Sequence, residues 1–177
     1  MEIRPISAEE MHRLRDRILD IQEAAYVAVR DNPFYSRERY WGRLEVYATR
    51  DGFGMMVGEL DGDLIGYSMG YPLPATTRWW EGLRTDDPDP TLTQEDGART
   101  FALTELVVHP SHQRRGYGRA LHDALLARRP EKRATLLVRP DNIHAKRAYL
   151  SWGWRQIGVL QPFSDSPVYD SLIRDLP

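Results

Sequence analysis

Cysteine is absent from the 177-residue sequence. Its absence excludes disulfide bonds, thiolate metal ligands and a cysteine nucleophile. Long apolar runs are missing as well: no stretch of about 18 apolar residues is present that could cross a membrane, and the N-terminus has no basic segment followed by an apolar one, as a signal peptide would. We therefore expect a cytoplasmic protein with no membrane partner.

The sequence has little that would point to a metal or to several domains. Its histidines and acids show no metal-ligand spacing, so we expect no metal. A hydrophobic fraction of 41% and a charged fraction of 28% are typical of a soluble globular protein. The length suits one domain, and we expect residues 1–177 to form it.

Charge is distributed unevenly along the chain. Residues 1–112 carry 12 Lys/Arg and 20 Asp/Glu, a net charge of −8, whereas residues 113–147 carry 10 and 3, a net charge of +7. Such a basic block can be a solvated face, a nucleic-acid patch or a site for an anionic ligand. The chain as a whole is acidic and the block has no interleaved exposed aromatics, so we expect no nucleic-acid partner.

A turn inside the basic block has the sequence of an anion site. Phe101 to Val108 reads as a strand that ends near Pro110, and the apolar residues after Gly118 recur with the period of a helix. The turn between them therefore lies at a helix N-terminus, where unpaired amides and the helix dipole attract anions. Gly116 and Gly118 would let a phosphate approach closely. Three arginines add positive charge: Arg114, Arg115 and Arg119.

This turn is neither a P-loop nor a dinucleotide fingerprint, because it has no Gly-Lys-Ser/Thr ending and no third glycine. The string Gln113-Arg114-Arg115-Gly116-Tyr117-Gly118 closely resembles the Gln/Arg-x-x-Gly-x-Gly/Ala signature of the GNAT acetyltransferase superfamily. A second block, Asn142 to Trp154, resembles the family's Asn-x-x-Ala-x-x-Ala/Phe-Tyr-x-x-x-Gly-Phe segment and follows at the distance that the family shows.

The resemblance implies an α/β GNAT fold: a mixed, mostly antiparallel central sheet of about six or seven strands with helices on both faces. In such a fold the central strand and the next parallel strand splay apart and leave a gap for pantetheine. The local patterns agree with this fold. They predict strands at Glu2–Ile6, Arg133–Val138 and two closing segments, a helix capped by Ser7 that runs to Asn32-Pro33, a second helix from Tyr35 to Tyr47, and a hairpin around Asp61-Gly62-Asp63.

The resemblance also implies acetyl-CoA as co-substrate and assigns residues to it. The pyrophosphate would be held by the turn and the helix start, and the pantetheine and thioester oxygen by amides of a bulged central strand. Asn142 is expected to cap the next helix and could also contact the pantetheine arm, and Lys146 could reach the 3′-phosphate or simply be solvated. The expected cofactor-binding residues are therefore Leu106, Val107, Val108, Gln113, Arg114, Arg115, Gly116, Tyr117, Gly118, Arg119, Ala120, Asn142 and Lys146.

Two residues are expected to move protons. Tyr149 matches the family's tyrosine that faces the CoA sulfur, and its phenol could protonate the departing thiolate; the alternative is a core tyrosine. Glu105, just before Leu106 on the central strand, is the candidate general base, although an exposed strand glutamate would have the same sequence. His109 and His112 are expected at the surface of the turn.

The segment from Pro72 to Gly97 has no sustained period and is long for a loop. Adjacent Trp79 and Trp80 suggest either an acceptor-binding lid or loop residues docked onto the core. Six acids could form a negative rim that favours a cationic amine, or could simply be solvated: Glu81, Asp86, Asp87, Asp89, Glu95 and Asp96.

Taken with the resemblance, these features predict transfer of an acetyl group from acetyl-CoA to a primary amine, by direct attack in a ternary complex. The tryptophan-bearing insertion favours a small-molecule amine over a protein N-terminus or lysine. A non-catalytic domain that binds or senses acetyl-CoA is the alternative from another class. A monomer and a homodimer are both compatible with the sequence.

Overall fold

The computed structural model describes residues 1–177 and contains seven strands and five α-helices. The strands are β1 (Glu2–Ile6), β2 (Gly54–Leu60), β3 (Asp63–Pro72), β4 (Thr100–Val108), β5 (Arg133–Val138), β6 (Arg155–Leu160) and β7 (Tyr169–Asp175). The helices are α1 (Ala8–Arg13), α2 (Arg15–Ala25), α3 (Arg37–Ala48), α4 (Tyr117–Leu126) and α5 (Ile143–Ser151). None of the helices combines the length and apolar character that a membrane span requires.

The strands form one sheet in the order β1-β2-β3-β4-β5-β7-β6. The pairs β1/β2, β2/β3, β5/β7 and β6/β7 are antiparallel. β4 and β5 are parallel, and their register runs from Thr100↔Arg133 to Ala102↔Thr135, at the start of both strands. This mixed, mostly antiparallel sheet confirms the predicted fold class.

The chain divides into two compact units. Unit 1 comprises residues 1–71 and 103–129, and unit 2 comprises residues 72–102 and 130–177. Both are discontinuous in sequence, because β4 passes from one unit to the other. That residues 1–177 form a single domain therefore stays a prediction.

Unit 1 contains a core between its strands and helices. Alternate residues of β3 face opposite ways, as in any strand. Tyr67 lies in the apolar cluster with Ile18 of α2 and Leu44 of α3. Its neighbour Ser68 faces α4, and its hydroxyl donates to the carbonyl of Leu121 at 3.0 Å. The sheet segment in unit 1 is thus covered on both sides.

Local rules explain where several elements begin and end. The Ser7 hydroxyl accepts from the Glu10 amide at 3.1 Å and caps α1 as expected, while the Glu10 carboxylate binds Arg4 instead of closing a capping box. The hairpin turn has Asp61 at φ 53° and Gly62 at φ 87°, the positive values that a type I′ turn needs.

Two predicted helices differ from the observed ones. The first helix is interrupted at Leu14, which has φ −91° and ψ 7°, and the α-helical segment ends at Ala25 rather than near Asn32. The β-branched Val27 and Val29 disfavour an α-helix and form a 3₁₀ turn. The second helix begins at Arg37 rather than Tyr35, because the Ser36 hydroxyl caps the Arg39 amide at 3.3 Å.

Candidate active site

The turn before α4 has an unusual backbone. Arg114 and Gly116 both adopt the left-handed conformation, with φ 59° and φ 84°, while Gln113 is extended. Such alternation turns successive amides toward one side and makes a concave site for an anion. The two φ values explain the glycine at position 116 and show that Arg114 accepts a conformation that is uncommon outside glycine.

The N-terminus of α4 lacks a side-chain cap. Ser7, Ser36 and Asn142 each cap a different helix of the chain with a side-chain oxygen. At α4 the first amides therefore remain available to an anion, in a place where the helix dipole also favours negative charge. The helix end and the preceding turn together offer a row of main-chain donors.

The side chains around this turn add charge and fix it to β4. Arg114 and Arg115 are exposed, and the Arg119 guanidinium reaches the Asp123 carboxylate at 3.4 Å. The Gln113 amide group donates to the carbonyl of Val108 at 2.9 Å, which ties the turn to the end of β4. Arginines without a strong internal partner are suited to bind phosphate oxygens.

Not every residue predicted to bind the cofactor in the first turn of α4 has a free amide N–H. The Ala120 amide already bonds the Gly116 carbonyl at 3.0 Å, so Ala120 cannot offer its N–H to a phosphate. At Gly118, a Cβ would meet only a methyl group of Val108, at 3.9 Å. A small side chain would therefore fit there, and only a bulky one would obstruct the approach of a ligand.

β4 is held closely by β3 along the segment expected to bind the thioester. A Cβ on Gly66 would lie 2.7 Å from the Val107 carbonyl oxygen and 3.2 Å from the Val108 Cα. The amide of His109 donates to the Ile65 carbonyl at 2.8 Å. The position of Val107 and Val108 thus depends on a glycine in the neighbouring strand. The bulge at Leu106, Val107 and Val108 stays a prediction.

Glu105 has the environment of a general base. Burial of its carboxyl group raises its pKa to about 7, against the opposing effects of the Arg43 charge and a hydrogen bond with Tyr40. The residue as a whole is half-buried, and its carboxyl group is desolvated. The alternative of an ordinary exposed strand glutamate does not describe this group.

Aromatic side chains surround this carboxyl group. Tyr40 and Tyr67 have no exposed surface, and their hydroxyl oxygens are 2.7 Å apart. Burial raises the pKa of both well above the ordinary value for tyrosine, and the Glu105 charge adds to the effect. Arg43 is buried beneath them, with its guanidinium over the Phe34 ring at 4.0 Å.

Sequence reasoning missed Tyr40, Tyr67 and Arg43. The sequence predicted a helix here, and its residues Trp41 and Leu44 are buried, but no sequence pattern connected Tyr40 or Tyr67 with Glu105. The one signal in the sequence was a tyrosine placed in the middle of a strongly apolar strand, at position 67. Nothing local showed which helix residue it would meet.

The remaining predicted residues lie on or near α5 in unit 2. The Asn142 side chain caps α5 through the Ala145 amide at 3.2 Å, as expected. The Tyr149 ring makes edge contacts with the rings of Trp152 and Trp154, with centroids 5.6 and 5.9 Å away, and is partly exposed. Its role as the acid stays a prediction.

Lys146 has an internal partner. Its ammonium lies 2.7 Å from a carboxylate oxygen of Asp170, a buried residue of β7 that also accepts from Gln156 at 2.8 Å. The ammonium is therefore engaged in fixing α5 to the sheet. A contact of Lys146 with the 3′-phosphate stays a prediction and would have to compete with this ion pair.

The insertion is anchored inside unit 2. Trp80 is 8% exposed, and its indole N–H donates to Glu95 at 3.0 Å. Glu95 also binds Arg133 at 3.0 Å and Thr100 at 2.8 Å, with its side chain 1% exposed. The idea of a rim of six acids is therefore wrong for Glu95, because a carboxylate paired with a buried guanidinium is not on the surface.

The two tryptophans thus differ. Trp80 is docked, as the second of the two sequence-based alternatives held, whereas Trp79 is only partly buried and its indole nitrogen has no hydrogen-bond partner. An unpaired buried N–H is a donor that a ligand could satisfy. Trp79 is therefore the better candidate for an acceptor contact, and for both residues that contact stays a prediction.

Comparisons with known proteins agree with the architecture. The sequence model described as the Acetyltransferase (GNAT) family matches residues 15–154. No curated protein sequence matches the chain. Within the structure, no group of three or more histidine, cysteine or acidic side chains is arranged to hold a metal ion.

Solved structures show the same fold at low sequence identity. A protein from Pyrococcus horikoshii OT3 is 17% identical, with a TM-score of 0.69 and 99% of both chains covered. The ribosomal-protein-S18-alanine N-acetyltransferase of Escherichia coli is 16% identical, with a TM-score of 0.64 and coverage of 99% and 93%. PaiA N-acetyltransferase from Thermoplasma acidophilum, in complex with coenzyme A, is 13% identical, with a TM-score of 0.58 and 99% coverage of both. The family match over residues 15–154, on a chain with this fold, shows that the chain belongs to the GNAT acetyltransferase family.

Proposed function

We propose that the protein transfers an acetyl group from acetyl-CoA to the primary amine of a small molecule, by direct attack in a ternary complex. The observation that carries this proposal is Glu105, whose desolvated carboxyl group has a pKa raised to about 7. A base is most effective when its pKa lies near the working pH. Amines are protonated near neutrality, so a base of this strength matches the chemistry of the family.

The residues that would bind acetyl-CoA fit an anionic ligand. Left-handed Arg114 and Gly116, the uncapped start of α4 and two exposed arginines provide donors and charge for a pyrophosphate. In the proposed reaction, amides of Leu106 to Val108 donate to the pantetheine and the thioester oxygen. Charge that develops on that oxygen would then be stabilised by fixed main-chain dipoles.

Two side chains would handle the protons. Glu105 accepts a proton from the ammonium, directly or through water, so that the neutral amine can attack the thioester carbon. The C–N bond forms, the C–S bond breaks, and Tyr149 donates its phenolic proton to the departing sulfur. The second proton of the attacking nitrogen then restores the phenol of Tyr149, and the proton held by Glu105 returns to solvent.

The acceptor class rests on the surroundings of the base. Buried aromatic residues of α3 and β3 lie near the Glu105 carboxyl group, and such surroundings suit a small amine better than a folded protein segment. The insertion supports this preference less than its sequence suggested, because Trp80 is docked within unit 2. The similarity in fold to an enzyme that acts on a ribosomal-protein alanine keeps a protein N-terminus as the alternative.

The binding step can be tested alone. A ligand that binds only the native state stabilises it by about 2.7 kcal/mol at a hundredfold excess over Kd. Acetyl-CoA should therefore raise the Tm, and replacing Gly118 with a bulky residue such as Trp should reduce that increase. A full thermal shift in Gly118→Trp would place the ligand elsewhere.

The reaction can be tested by measuring CoA release over a panel of amines. The panel should contain polyamines, aromatic amines, amino acids and short peptides with free N-termini. We expect turnover of a small amine, with kcat/KM rising with pH to a plateau and a midpoint near 7. Turnover of peptides alone would support the protein alternative. Acetyl-CoA binding without release above the hydrolytic background, over the whole panel, would support the non-catalytic one.

A further inference from the structure

Two buried hydroxyl groups lie near Glu105 in unit 1. The hydroxyl of Tyr40 on α3 is 2.7 Å from that of Tyr67 on β3, and neither residue has exposed surface. The Tyr40 hydroxyl also hydrogen-bonds with the Glu105 carboxylate. The three residues therefore form a continuous hydrogen-bonded chain that ends at the Glu105 carboxyl group.

We propose that Tyr40 and Tyr67 are positioning residues that orient the Glu105 carboxylate and set the pH at which it can accept a proton. This inference rests on the proposed function, in which Glu105 is the base. It assigns to two core tyrosines an effect on the reaction, although neither would touch the amine.

The donor and acceptor in each hydrogen bond follow from the number of protons that each hydroxyl group can donate. A tyrosine hydroxyl has one proton to donate and lone pairs that accept. When Tyr40 donates to the ionised carboxylate, its oxygen is left to accept, so Tyr67 must be the donor in the 2.7 Å contact. The donation by Tyr67 polarises the Tyr40 O–H group and strengthens its bond to the carboxylate.

The tyrosines cannot themselves act as the base. Their pKa values are raised well above the ordinary value by burial, so both hydroxyls keep their protons throughout the neutral range. With no exposed surface, they also give no path for a proton to reach solvent. The tyrosines therefore support Glu105 as the base and do not replace it.

The pH at which Glu105 titrates reflects all the groups around it. Burial raises its pKa, whereas Arg43 and Tyr40, both on α3, lower it. The charge of Glu105 in turn raises the pKa of two other tyrosines, Tyr67 and Tyr47. Tyr40 is the only one of these tyrosines whose hydrogen bond acts on the carboxyl group itself.

Three matched Tyr→Phe variants test the proposal, because each removes one buried oxygen and keeps the ring. Tyr40→Phe should move the Glu105 titration midpoint upward by about one pH unit, since a hydrogen bond to a charged group contributes at least the equivalent of one unit. Tyr67→Phe should move it upward by about 0.3 unit, because it removes only the polarisation of Tyr40. Tyr71→Phe, on the same strand with its ring against Tyr47, should leave the midpoint unchanged.

The readout is the carboxyl carbon of Glu105, followed by NMR across pH without substrates, together with kcat/KM against pH for the best amine. Equal shifts in the three variants, or a downward shift in Tyr40→Phe, would overturn the proposal. If Tyr40→Phe does not fold, Tyr67→Phe still tests the chain, because it retains Tyr40. The NMR titration also tests the positioning role of the tyrosines independently of the role of Glu105 as the base. Midpoints that shift as expected, in a protein whose kcat/KM profile does not follow them, would support the positioning pair and refute Glu105 as the base.

Discussion

The two groups proposed to move protons are held in different ways. In unit 1, Glu105 is surrounded by buried tyrosines and a buried arginine, and this environment changes its pKa. In unit 2, Tyr149 lies on α5, a helix with no fully buried residue. The Asn142 cap, the Lys146–Asp170 ion pair and two ring contacts hold that helix.

This difference distinguishes two effects of the surroundings: tuning, which changes the pKa of a group, and placement, which fixes its position. Burial changes how strongly a group holds its proton, whereas polar anchors at the surface fix a group with little effect on its chemistry. Substitutions around Glu105 should therefore change the pH dependence of the reaction. Substitutions that loosen α5 should lower the rate at every pH. The following predictions test that division.

The largest effect is expected from Glu105→Gln. Loss of a general base typically lowers the rate by about 10²–10⁴-fold, and the rise of kcat/KM with a midpoint near 7 should disappear with it. Steady-state kinetics between pH 5 and 9 would show both. Glu38→Gln, on the exposed start of α3, serves as the control and should keep the wild-type profile. A pH limb that survives in Glu105→Gln would mean that another group is the base.

The same carboxyl group should make stability depend on pH. Its pKa in the folded protein is about 7, above the ordinary value of 4.5. Between these values the folded state holds a proton that the unfolded state has released, so stability falls as pH rises through this window. At 1.36 kcal/mol per unit the contribution is at most about 3 kcal/mol.

Denaturant unfolding of wild type and Glu105→Gln from pH 4 to 8 would measure this effect. The glutamine variant should lose less stability than the wild type over the window. Parallel curves for the two proteins would show that the carboxyl group is not desolvated in solution.

Tyr149→Phe should lower turnover by about 10²-fold, the lower end of the effect of losing a general acid. Acetyl-CoA affinity should change far less, because the ring remains between Trp152 and Trp154. Isothermal titration with acetyl-CoA and single-turnover kinetics distinguish the two quantities. Unchanged single-turnover rates would remove Tyr149 from the mechanism.

A methyl group at Gly66 should disturb β4, the strand whose amides are proposed to bind the thioester. In Gly66→Ala the added Cβ would meet the Val107 carbonyl oxygen at 2.7 Å, and overpacking of this kind costs about 1–3 kcal/mol of stability. The Tm increase produced by acetyl-CoA should shrink as well. Gly42→Ala is the control: it lies within α3 with open space around it, so it should be neutral or stabilising. Equal behaviour of the two variants would contradict the close approach of β3 and β4.

The smallest effect is expected from Asp170→Asn. Without the carboxylate, Lys146 loses its partner and α5 is less firmly placed, so kcat should fall by about tenfold, a modest case of misplacement. The pH midpoint should stay where it is, because the pKa of Glu105 is shifted by burial, Arg43 and Tyr40. Asp141→Asn, which removes an exposed pair with Arg139 before α5, should have almost no effect. A shifted midpoint in Asp170→Asn would refute the division between tuning and placement.

Local sequence patterns predicted the features that depend on local physics. The Ser7 and Asn142 caps, the Asp61-Gly62 turn and β5 at Arg133–Val138 were all where the sequence indicated. The turn before α4 was also predicted, because its glycines and arginines are contiguous. In each case the residues that determine the structure lie within a few positions of one another.

The features that the sequence did not reveal depend on distant partners. Tyr40 meets Tyr67 across 27 positions, Glu95 meets Arg133 across 38, and Lys146 meets Asp170 across 24. A tyrosine, an acid or a lysine has the same local pattern whether its partner is water or a buried side chain. For that reason Glu95 was expected in an exposed acidic rim of the insertion, and Lys146 was expected to contact the 3′-phosphate.

The insertion also affects how the protein behaves among copies of itself. β6 is the last strand of the sheet, and the free backbone groups of an edge strand can pair with another chain. Here Arg84 of the insertion exchanges two backbone hydrogen bonds with Val159, each 3.0 Å long, and Gly158 admits this close approach because a side chain there would strike the Arg84 carbonyl. The insertion therefore covers part of this edge strand, and we expect a shortened insertion to make the protein less soluble.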